Sequence, residues 1–358
     1  MRTVTNNSPR RRNDEAAETL QEAMAGQLVG QPAAVSAIVP YVQMYQAGLS
    51  PDSRPAGVFL LLGPSGTGKT KTVEALAAAL HGSEKHILKV DCGEFQLEHE
   101  VAKLIGAPPG YLGHRETHPM LSQARVNSVT SEKSSLAIVL FDEIEKAAPS
   151  MTRLLLGVLD KGTLRLGDNN TVSFERTLIF MTSNLGAREM ITAMEPSFGF
   201  QGMGRQENVG EMEGQLEKIG MNAVRRKFAP EFVNRIDAVV TYQPLDQTAL
   251  GSIVDLQLAE LQRHIDARLG LRGFRLRVQE EAKRFLLARG TSAQFGAREL
   301  KRTIQRQLTQ PLAVLVANEE LEAGSTVAVE VAEDESCLML RPIGEAARRR
   351  RPDLRLAS

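Results

Sequence analysis

The sequence predicts an α/β fold in which a five-stranded parallel sheet lies between helices, followed by a smaller, mainly helical α+β domain. Over residues 20–243, short apolar runs alternate with helical patterns, which is typical of a parallel sheet covered by helices. After Pro244 the pattern changes to longer helices with a few short strands. A chain of 358 residues is long enough for two such domains, each with its own core.

Five apolar runs are predicted to form the sheet of the first domain. They do not alternate between apolar and polar residues, so we expect strands that are buried on both faces. The runs are Val58–Leu62, Ile87–Asp91, Ala137–Asp142, Thr177–Thr182 and Ala238–Tyr242. A surface hairpin is expected where residues 163–166 and 171–174 flank Gly167-Asp168-Asn169-Asn170, whose residues favour turns.

The remaining segments are predicted from their composition and spacing. The second domain, 244–342, is expected to contain helices over 246–267, 279–289 and 297–317, with strands near 275–278, 326–331 and 337–341. Residues 195–210 are rich in Gly and polar residues and predict a long loop. The termini, 1–19 and 343–358, are Arg-rich and polar, and we expect both to be disordered tails.

Composition excludes several classes of protein. Lys and Arg number 43 against 43 Asp and Glu, so no net field attracts nucleic acid or an anionic membrane. The sequence has no apolar run long enough to span a bilayer and no apolar signal segment. Its two cysteines lack neighbours at metal-binding spacing. A cytoplasmic protein with two plain thiols is therefore predicted.

The strongest motif is a phosphate-binding loop. Gly63-Pro64-Ser65-Gly66-Thr67-Gly68-Lys69-Thr70 fits G-x-x-x-x-G-K-[ST] and stands between an apolar strand and a helical pattern. The glycines let backbone N–H groups face phosphate oxygens, and the following helix adds its positive N-terminal dipole. Lys69 is expected to reach the β and γ phosphates of ATP, and Thr70 to offer a hydroxyl to Mg²⁺. A plain Gly-rich turn is the alternative interpretation.

Two acidic residues end the third predicted strand. Asp142 and Glu143 follow an apolar run, so both carboxylates should emerge at the carboxyl edge of the sheet, where the phosphates would lie. Asp142 can orient hydrated Mg²⁺, and Glu143 can polarise the water that attacks the γ-phosphate. Asn184, at the end of the next strand, can hold that water or the γ-phosphate through its amide, although Thr-Ser-Asn is also a common helix cap.

In their order along the chain, the segments GPSGTGKT, IVLFDEIEKA, FMTSNLGA, FAPEFVNRID and FGAREL resemble the C-terminal ATPase module of Clp-type AAA+ unfoldases and disaggregases. The resemblance extends from Leu28-Val29-Gly30-Gln31, the adenine-side box of that family, to about Leu340. It implies an AAA+ P-loop NTPase fold, with Val29 beside the nucleotide. It also implies that Arg235 is an arginine finger acting on the neighbouring subunit, that Arg298 is a second sensor, and that the protein forms a ring, typically a hexamer.

The resemblance also suggests how ATP energy would be used. Gly110-Tyr111-Leu112-Gly113 resembles the pore loop with which Clp-type rings grip a polypeptide, and Tyr111 would be the gripping residue. Phe198-Gly199-Phe200 lies where peptidase-docking members carry a docking tripeptide, so a peptidase or an adaptor is a predicted partner. A Pro-Gly turn and a loop folded on its own domain are the plain alternatives.

Three functions therefore compete. The preferred one is ATP-driven remodelling or unfolding of polypeptides threaded through a ring pore. The second is an AAA+ loader acting on nucleic acid, which the neutral charge and the lack of aromatic stacking platforms in basic surroundings disfavour. The third is a scaffold that binds ATP without hydrolysing it, which is disfavoured because every catalytic position is filled.

Overall fold

The computed structural model describes residues 20–106, 119–194, 209–291 and 296–343, and the chain divides into two compact units between Gln243 and Pro244. The first unit contains a five-stranded, wholly parallel sheet with the spatial order β2-β3-β6-β1-β7. Its strands are β1 Gly57–Leu62, β2 Leu88–Asp91, β3 Ala137–Asp142, β6 Thr177–Ser183 and β7 Ala238–Thr241. The predicted fold class and sheet are confirmed.

Burial differs between the central and the edge strands of this sheet. β1 and β6 are buried throughout, and β3 is buried up to Asp142. The prediction of two buried faces was wrong for β2, in which Leu88 and Val90 are buried while Lys89 and Asp91 are exposed. In β7 only Val240 is buried, so the prediction was not met there either. β2 and β7 are the two edge strands, which neighbouring strands cover less completely.

Helices cover the sheet, and an apolar core lies on each of its faces. Residues 20–25 are helical, and the other α-helices among the described residues of this unit are α1 Pro32–Gln46, α2 Lys69–His81, α3 Ala102–Ile105, α4 Gln123–Ser128, α5 Pro149–Lys161, α6 Ala187–Met194, α7 Val209–Lys227 and α8 Pro230–Val233. The predicted hairpin is present as β4 Thr163–Arg165 paired with β5 Thr171–Ser173. The predicted loop 195–210 lies outside the described residues except for its end, where Val209 and Gly210 already belong to α7.

In the described residues of the second unit, four α-helices and a three-stranded sheet pack around a separate apolar core. Its elements are α9 Gln247–Leu269, β8 Arg275–Val278, α10 Glu280–Gly290, α11 Ala297–Ile304, α12 Gln310–Ala317, β9 Thr326–Val331 and β10 Leu338–Ile343. The single helix predicted over 297–317 is interrupted by a π-helical turn at Gln305–Thr309. Pro311 lies two residues after this turn, and a proline lacks the N–H that regular α-helical bonding requires. The predicted tails 1–19 and 343–358 lie outside the described residues except for Ile343, which ends β10 rather than beginning a tail.

Candidate nucleotide-binding site

The loop between β1 and α2 has the backbone conformation that a phosphate cradle requires. Gly63, Gly66 and Gly68 have φ values of 144°, 78° and 105°, a region that favours glycine. At Gly63 the approach is also close, because an added Cβ would lie 2.6 Å from the carbonyl oxygen of Tyr242. Thr67 closes the turn by donating from its hydroxyl to the carbonyl of Pro64 at 2.9 Å.

Lys69 begins α2 and turns its ammonium back over this loop. The side chain is buried, and Nζ donates to the carbonyls of Gly63 at 2.6 Å and Pro64 at 2.8 Å. It also donates to Oδ1 of Asn184 at 2.9 Å, which brings the end of β6 to the loop. A buried ammonium must be surrounded by acceptors, and phosphate oxygens can take the place of these carbonyls. Thr70, the next residue, is half-buried.

Asp142 is oriented by groups from two neighbouring strands. The hydroxyl of Thr182, near the end of β6, donates to Oδ1 of Asp142, and Lys89 of β2 lies 2.7 Å from Oδ2. The same Thr182 hydroxyl accepts from the backbone N–H of Glu143 at 3.0 Å. One hydroxyl therefore fixes the carboxylate of the first acid and the backbone of the second.

Glu143 has a left-handed backbone, with φ 57° and ψ 49°, which is uncommon outside glycine. Strain of this kind persists only where surrounding groups enforce it, as the Thr182 hydroxyl does here. The Glu143 carboxylate is paired with Lys146, and this hydrogen bond raises the pKa of the Lys146 ammonium above its ordinary value. The pair is partly exposed, so water and salt screen it and the carboxylate can exchange its partner.

Asn184 is fixed at its backbone as well as its side chain. Its N–H donates to Oε1 of Glu145 at 3.0 Å, and Glu145 follows β3. A continuous set of hydrogen bonds thus runs from Glu145 through Asn184 and Lys69 to the carbonyl of Gly63. The ends of β1, β3 and β6 are joined at one edge of the sheet.

Cys92 is buried beside the acids at this edge. Burial raises the pKa of the Cys92 thiol well above its ordinary value, and the charges of Asp91 and Asp142 raise it further. Cys92 therefore stays protonated, as the sequence predicts for a plain thiol. The arrangement can bind phosphates through the loop and Lys69 while keeping two carboxylates and an amide beside them.

The two predicted arginines lie in different units. Arg235 follows α8, and its Nε lies 3.1 Å from Oδ1 of Asp160 on α5, an ion pair whose angle does not meet the geometry of a hydrogen bond. Arg298 is exposed on α11 in the second unit. Val29 is half-buried just before α1. The structure does not test the roles predicted for these three residues.

Two predicted segments lie outside the described residues. They are the pore loop Gly110, Tyr111, Leu112 and Gly113, and the tripeptide Phe198, Gly199 and Phe200.

Sequence reasoning missed the residues that orient the site. Thr182 and Lys89 hold Asp142, Glu145 holds Asn184, and the carboxamide of Gln31 donates to the carbonyl of Thr67 at 3.2 Å. The sign of these residues in the sequence is that a polar residue lies within or beside an apolar run. That signal marks a position but does not identify the partner.

Within the four described ranges, no helix is both long and apolar enough to cross a membrane. In the same ranges, no three His, Cys, Asp or Glu side chains cluster as ligands for a metal ion.

Comparison with known families matches both units. Residues 54–239, just over half of the chain, match the AAA domain of the Cdc48 subfamily. Residues 245–329 match the C-terminal D2-small domain of ClpB protein. The boundary between the two matches coincides with the boundary between the two compact units.

Curated relatives are longer proteins. The chain is 39% identical over 315 residues to the chaperone protein ClpB of Rhizobium meliloti (strain 1021), covering 88% of this chain and 33% of the relative. It is 36% identical over 312 residues to heat shock protein 104 of Schizosaccharomyces pombe, covering 87% of this chain and 32% of the relative. This chain therefore spans about a third of the length of these relatives.

Solved structures give the same grouping. A complex of S. cerevisiae Hsp104 with casein, in an extended conformation, superposes with a TM-score of 0.76 at 30% identity, covering 94% of this chain and 53% of that one. A closed state of Hsp104 with ATPγS and FITC casein gives a TM-score of 0.75, with the same identity and coverage.

Proposed function

This chain belongs to the AAA family of the Cdc48 subfamily and carries a small domain of the ClpB type, and on that basis we propose that it hydrolyses ATP to remodel or unfold polypeptides. The observation that carries the proposal is the joined edge of the sheet. Asp142 and Glu143 at the end of β3, Asn184 after β6, and Lys69 at the start of α2 meet there. Phosphoryl transfer depends mainly on positioning and charge stabilisation, which is what such an edge supplies.

The chain's own groups would bind the triphosphate. Backbone N–H groups of residues 63–70 would face the phosphates, with Lys69 exchanging its carbonyl partners for the β and γ oxygens. Val29 would lie beside the adenine. The left-handed glycines support this, because a Cβ would strain the loop at each of them.

Magnesium fits the donors at this edge. The ion is usually held by one or two carboxylates together with phosphates and water, rather than by a cage of protein ligands. Asp142, held by Thr182 and Lys89, and the hydroxyl of Thr70 would be its protein contacts, partly through water. When bound, the ion would neutralise charge that develops on the phosphates.

Glu143 would position the attacking water and accept its proton after leaving Lys146. Asn184 would hold that water or the γ-phosphate by its amide, once Lys69 turns to the phosphates. Arg235 from a neighbouring subunit and Arg298 from the second unit would stabilise the charge spread over the transferring group. These roles require a ring, which we propose to be a homo-oligomer, typically a hexamer.

The proposed substrate is an unfolded polypeptide. Two similar solved structures are Hsp104 bound to casein, which supports this class of substrate. Tyr111, between Gly110 and Leu112-Gly113, would grip the chain in the pore. Phe198, Gly199 and Phe200 would dock a peptidase or an adaptor, and the protein would act in the cytoplasm.

ATP hydrolysis measured alone, with casein and with single-stranded DNA tests this function. We expect casein to stimulate the wild type, Tyr111→Ala to lose that stimulation, and Glu143→Gln to bind nucleotide but not hydrolyse it. Glu132→Gln makes the same chemical change at an exposed turn and should match the wild type. Stimulation by DNA with indifference to casein would refute polypeptide remodelling and favour a nucleic-acid loader.

A further inference from the structure

One buried carboxamide touches both the phosphate loop and the end of the first unit. Gln31 precedes α1 and is 6% exposed. Its Nε2 donates to the carbonyl of Thr67 at 3.2 Å and to the carbonyl of Gln243 at 2.9 Å. A carboxamide NH₂ has two donors, and two backbone acceptors from distant parts of the chain receive them.

One of these carbonyls belongs to a peptide group of the phosphate loop, and the other belongs to the peptide group at the boundary between the two units. The Thr67 carbonyl shares its peptide plane with the N–H of Gly68, the phosphate-loop residue directly before α2. A trans peptide is rigid, so fixing the carbonyl also fixes the direction of that N–H. The Gln243 carbonyl shares its plane with the nitrogen of Pro244, the first residue of the second unit. Gln31 therefore holds the peptide that joins the two units.

Other contacts hold the same junction against the loop. The Tyr242 hydroxyl, fully buried, donates to the Thr72 hydroxyl on α2 at 2.6 Å. The Tyr242 carbonyl leaves no space for a Cβ at Gly63. On the other side, Nε2 of Gln243 donates to Glu213 on α7 at 2.9 Å. The chain thus leaves the first unit in direct contact with the loop that would close on phosphates.

We infer that Gln31 is a positioning residue that couples the phosphate loop to the junction at Gln243 and Pro244. When phosphates take up the Gly68 N–H, the Thr67 peptide is fixed, and Gln31 passes this restraint to the Gln243 carbonyl. Pro244 adds stiffness, since a residue before proline is restricted to extended conformations. The inference rests on the proposed function, because it requires nucleotide in the loop.

Backbone amide exchange tests this coupling in the full chain, with and without Mg·ATPγS. Two segments are followed, 63–72 for the loop and 240–250 for the junction. In the wild type we expect nucleotide to slow exchange in both. Gln31→Met keeps the approximate shape but removes both donors. In this variant, nucleotide should still slow exchange at 63–72. At 240–250 the factor by which nucleotide slows exchange should be about tenfold smaller than in the wild type, as expected if two hydrogen bonds of ordinary strength carry the coupling.

A matched control and a milder variant complete the experiment. Gln43→Met makes the same change at an exposed position of α1 and should behave as the wild type. Gln31→Asn is a milder change that shortens the side chain by one methylene, and it replaces Gln31→Met if that variant does not fold. It should lose part of the nucleotide-dependent slowing at 240–250. The coupling would be overturned if both Gln31 variants kept the wild-type slowing at 240–250. It would also be overturned if nucleotide slowed exchange in the wild type only at 63–72. No slowing in either segment would overturn nucleotide binding itself, and with it the coupling.

Discussion

Thr182 is the residue whose hydroxyl orients both acids of the site. It donates to Asp142 and accepts from the Glu143 N–H, so its loss leaves two polar groups without this partner. Thr182→Val keeps the side-chain shape. We expect it to lower the free energy of unfolding by ~1–3 kcal/mol, the cost of unsatisfied buried groups, and to slow ATP hydrolysis at least about tenfold.

The matched control for this substitution is Thr171→Val, which is exposed on β5 and should leave both quantities unchanged. Denaturant unfolding and steady-state hydrolysis measure the two effects. Normal hydrolysis by Thr182→Val would mean that Asp142 and Glu143 are held adequately without this hydroxyl.

Gly63 is the glycine that the loop can least replace. Its φ of 144° and the 2.6 Å separation between an added Cβ and the Tyr242 carbonyl oxygen both oppose a side chain. We expect Gly63→Ala to destabilise the protein by ~1–3 kcal/mol and to weaken nucleotide binding, measured by thermal unfolding and by titration. Gly214→Ala on α7, where a Cβ would meet nothing within 4 Å, should instead stabilise by ~0.5–1 kcal/mol. Equal effects of the two substitutions would contradict this account.

The motif residues could be predicted because the residues of each motif are adjacent in the sequence. Residues 63–70 form one loop, and Asp142 and Glu143 follow one apolar strand, so type and spacing identify them. Their partners could not be predicted in the same way. Lys89, Glu145 and Gln31 make these contacts only after the sheet is assembled, so the sequence did not identify their partners even where the residue lies in a motif, as Gln31 and Glu145 do.

At the scale of elements, the end of α2 carries a pH-sensitive contact. His81 is buried, its Nδ1 lies 2.9 Å from the Ser131 hydroxyl, and its ring stacks on His86 with centroids 5.2 Å apart. Burial lowers the pKa of His81 below its ordinary value, and the neighbouring His86 lowers it further. The unfolded chain therefore binds more protons than the folded chain between the lowered pKa and about 6.5.

It follows that the stability of the folded state should fall as pH decreases below about 6.5. Replacing His81 by Gln removes this group and should reduce the loss of stability between pH 7.5 and pH 5.5, measured by denaturant unfolding. His99→Gln, at an exposed position, should leave the pH dependence unchanged. An identical pH dependence in His81→Gln and the wild type would rule out this contribution.

Element boundaries were predicted best where burial determines them. The strands Ala137–Asp142 and Thr326–Val331 match their predicted bounds. For Ala137–Asp142 the reason is burial, since the apolar run ends where the buried part of the strand ends. Two features were missed because they depend on neighbours. The exposed face of β2 follows from its edge position, and the π turn before Pro311 follows from one missing N–H within a helical pattern.

At the scale of the whole molecule, the proposed ring requires Arg235 to leave the ion pair that it makes within its own chain. Within its own unit it faces Asp160 at 3.1 Å, and about a third of its side chain is exposed. An ion pair this exposed contributes little, so Arg235 can leave Asp160 for a stronger anion. A neighbouring subunit's γ-phosphate is such an anion, as the resemblance to Clp-type rings implies.

Mixing two inactive variants tests this arrangement. Arg235→Ala lacks the finger but keeps Glu143, whereas Glu143→Gln lacks the water-positioning acid but keeps Arg235. If each site uses its own Glu143 and the neighbour's Arg235, a random one-to-one mixture rebuilds a complete site at about a quarter of the interfaces of a head-to-tail ring. We therefore expect about a quarter of wild-type ATP hydrolysis in the mixture and almost none in either variant alone. A finger acting within its own subunit would give no recovery, because every subunit in the mixture then lacks one of the two groups.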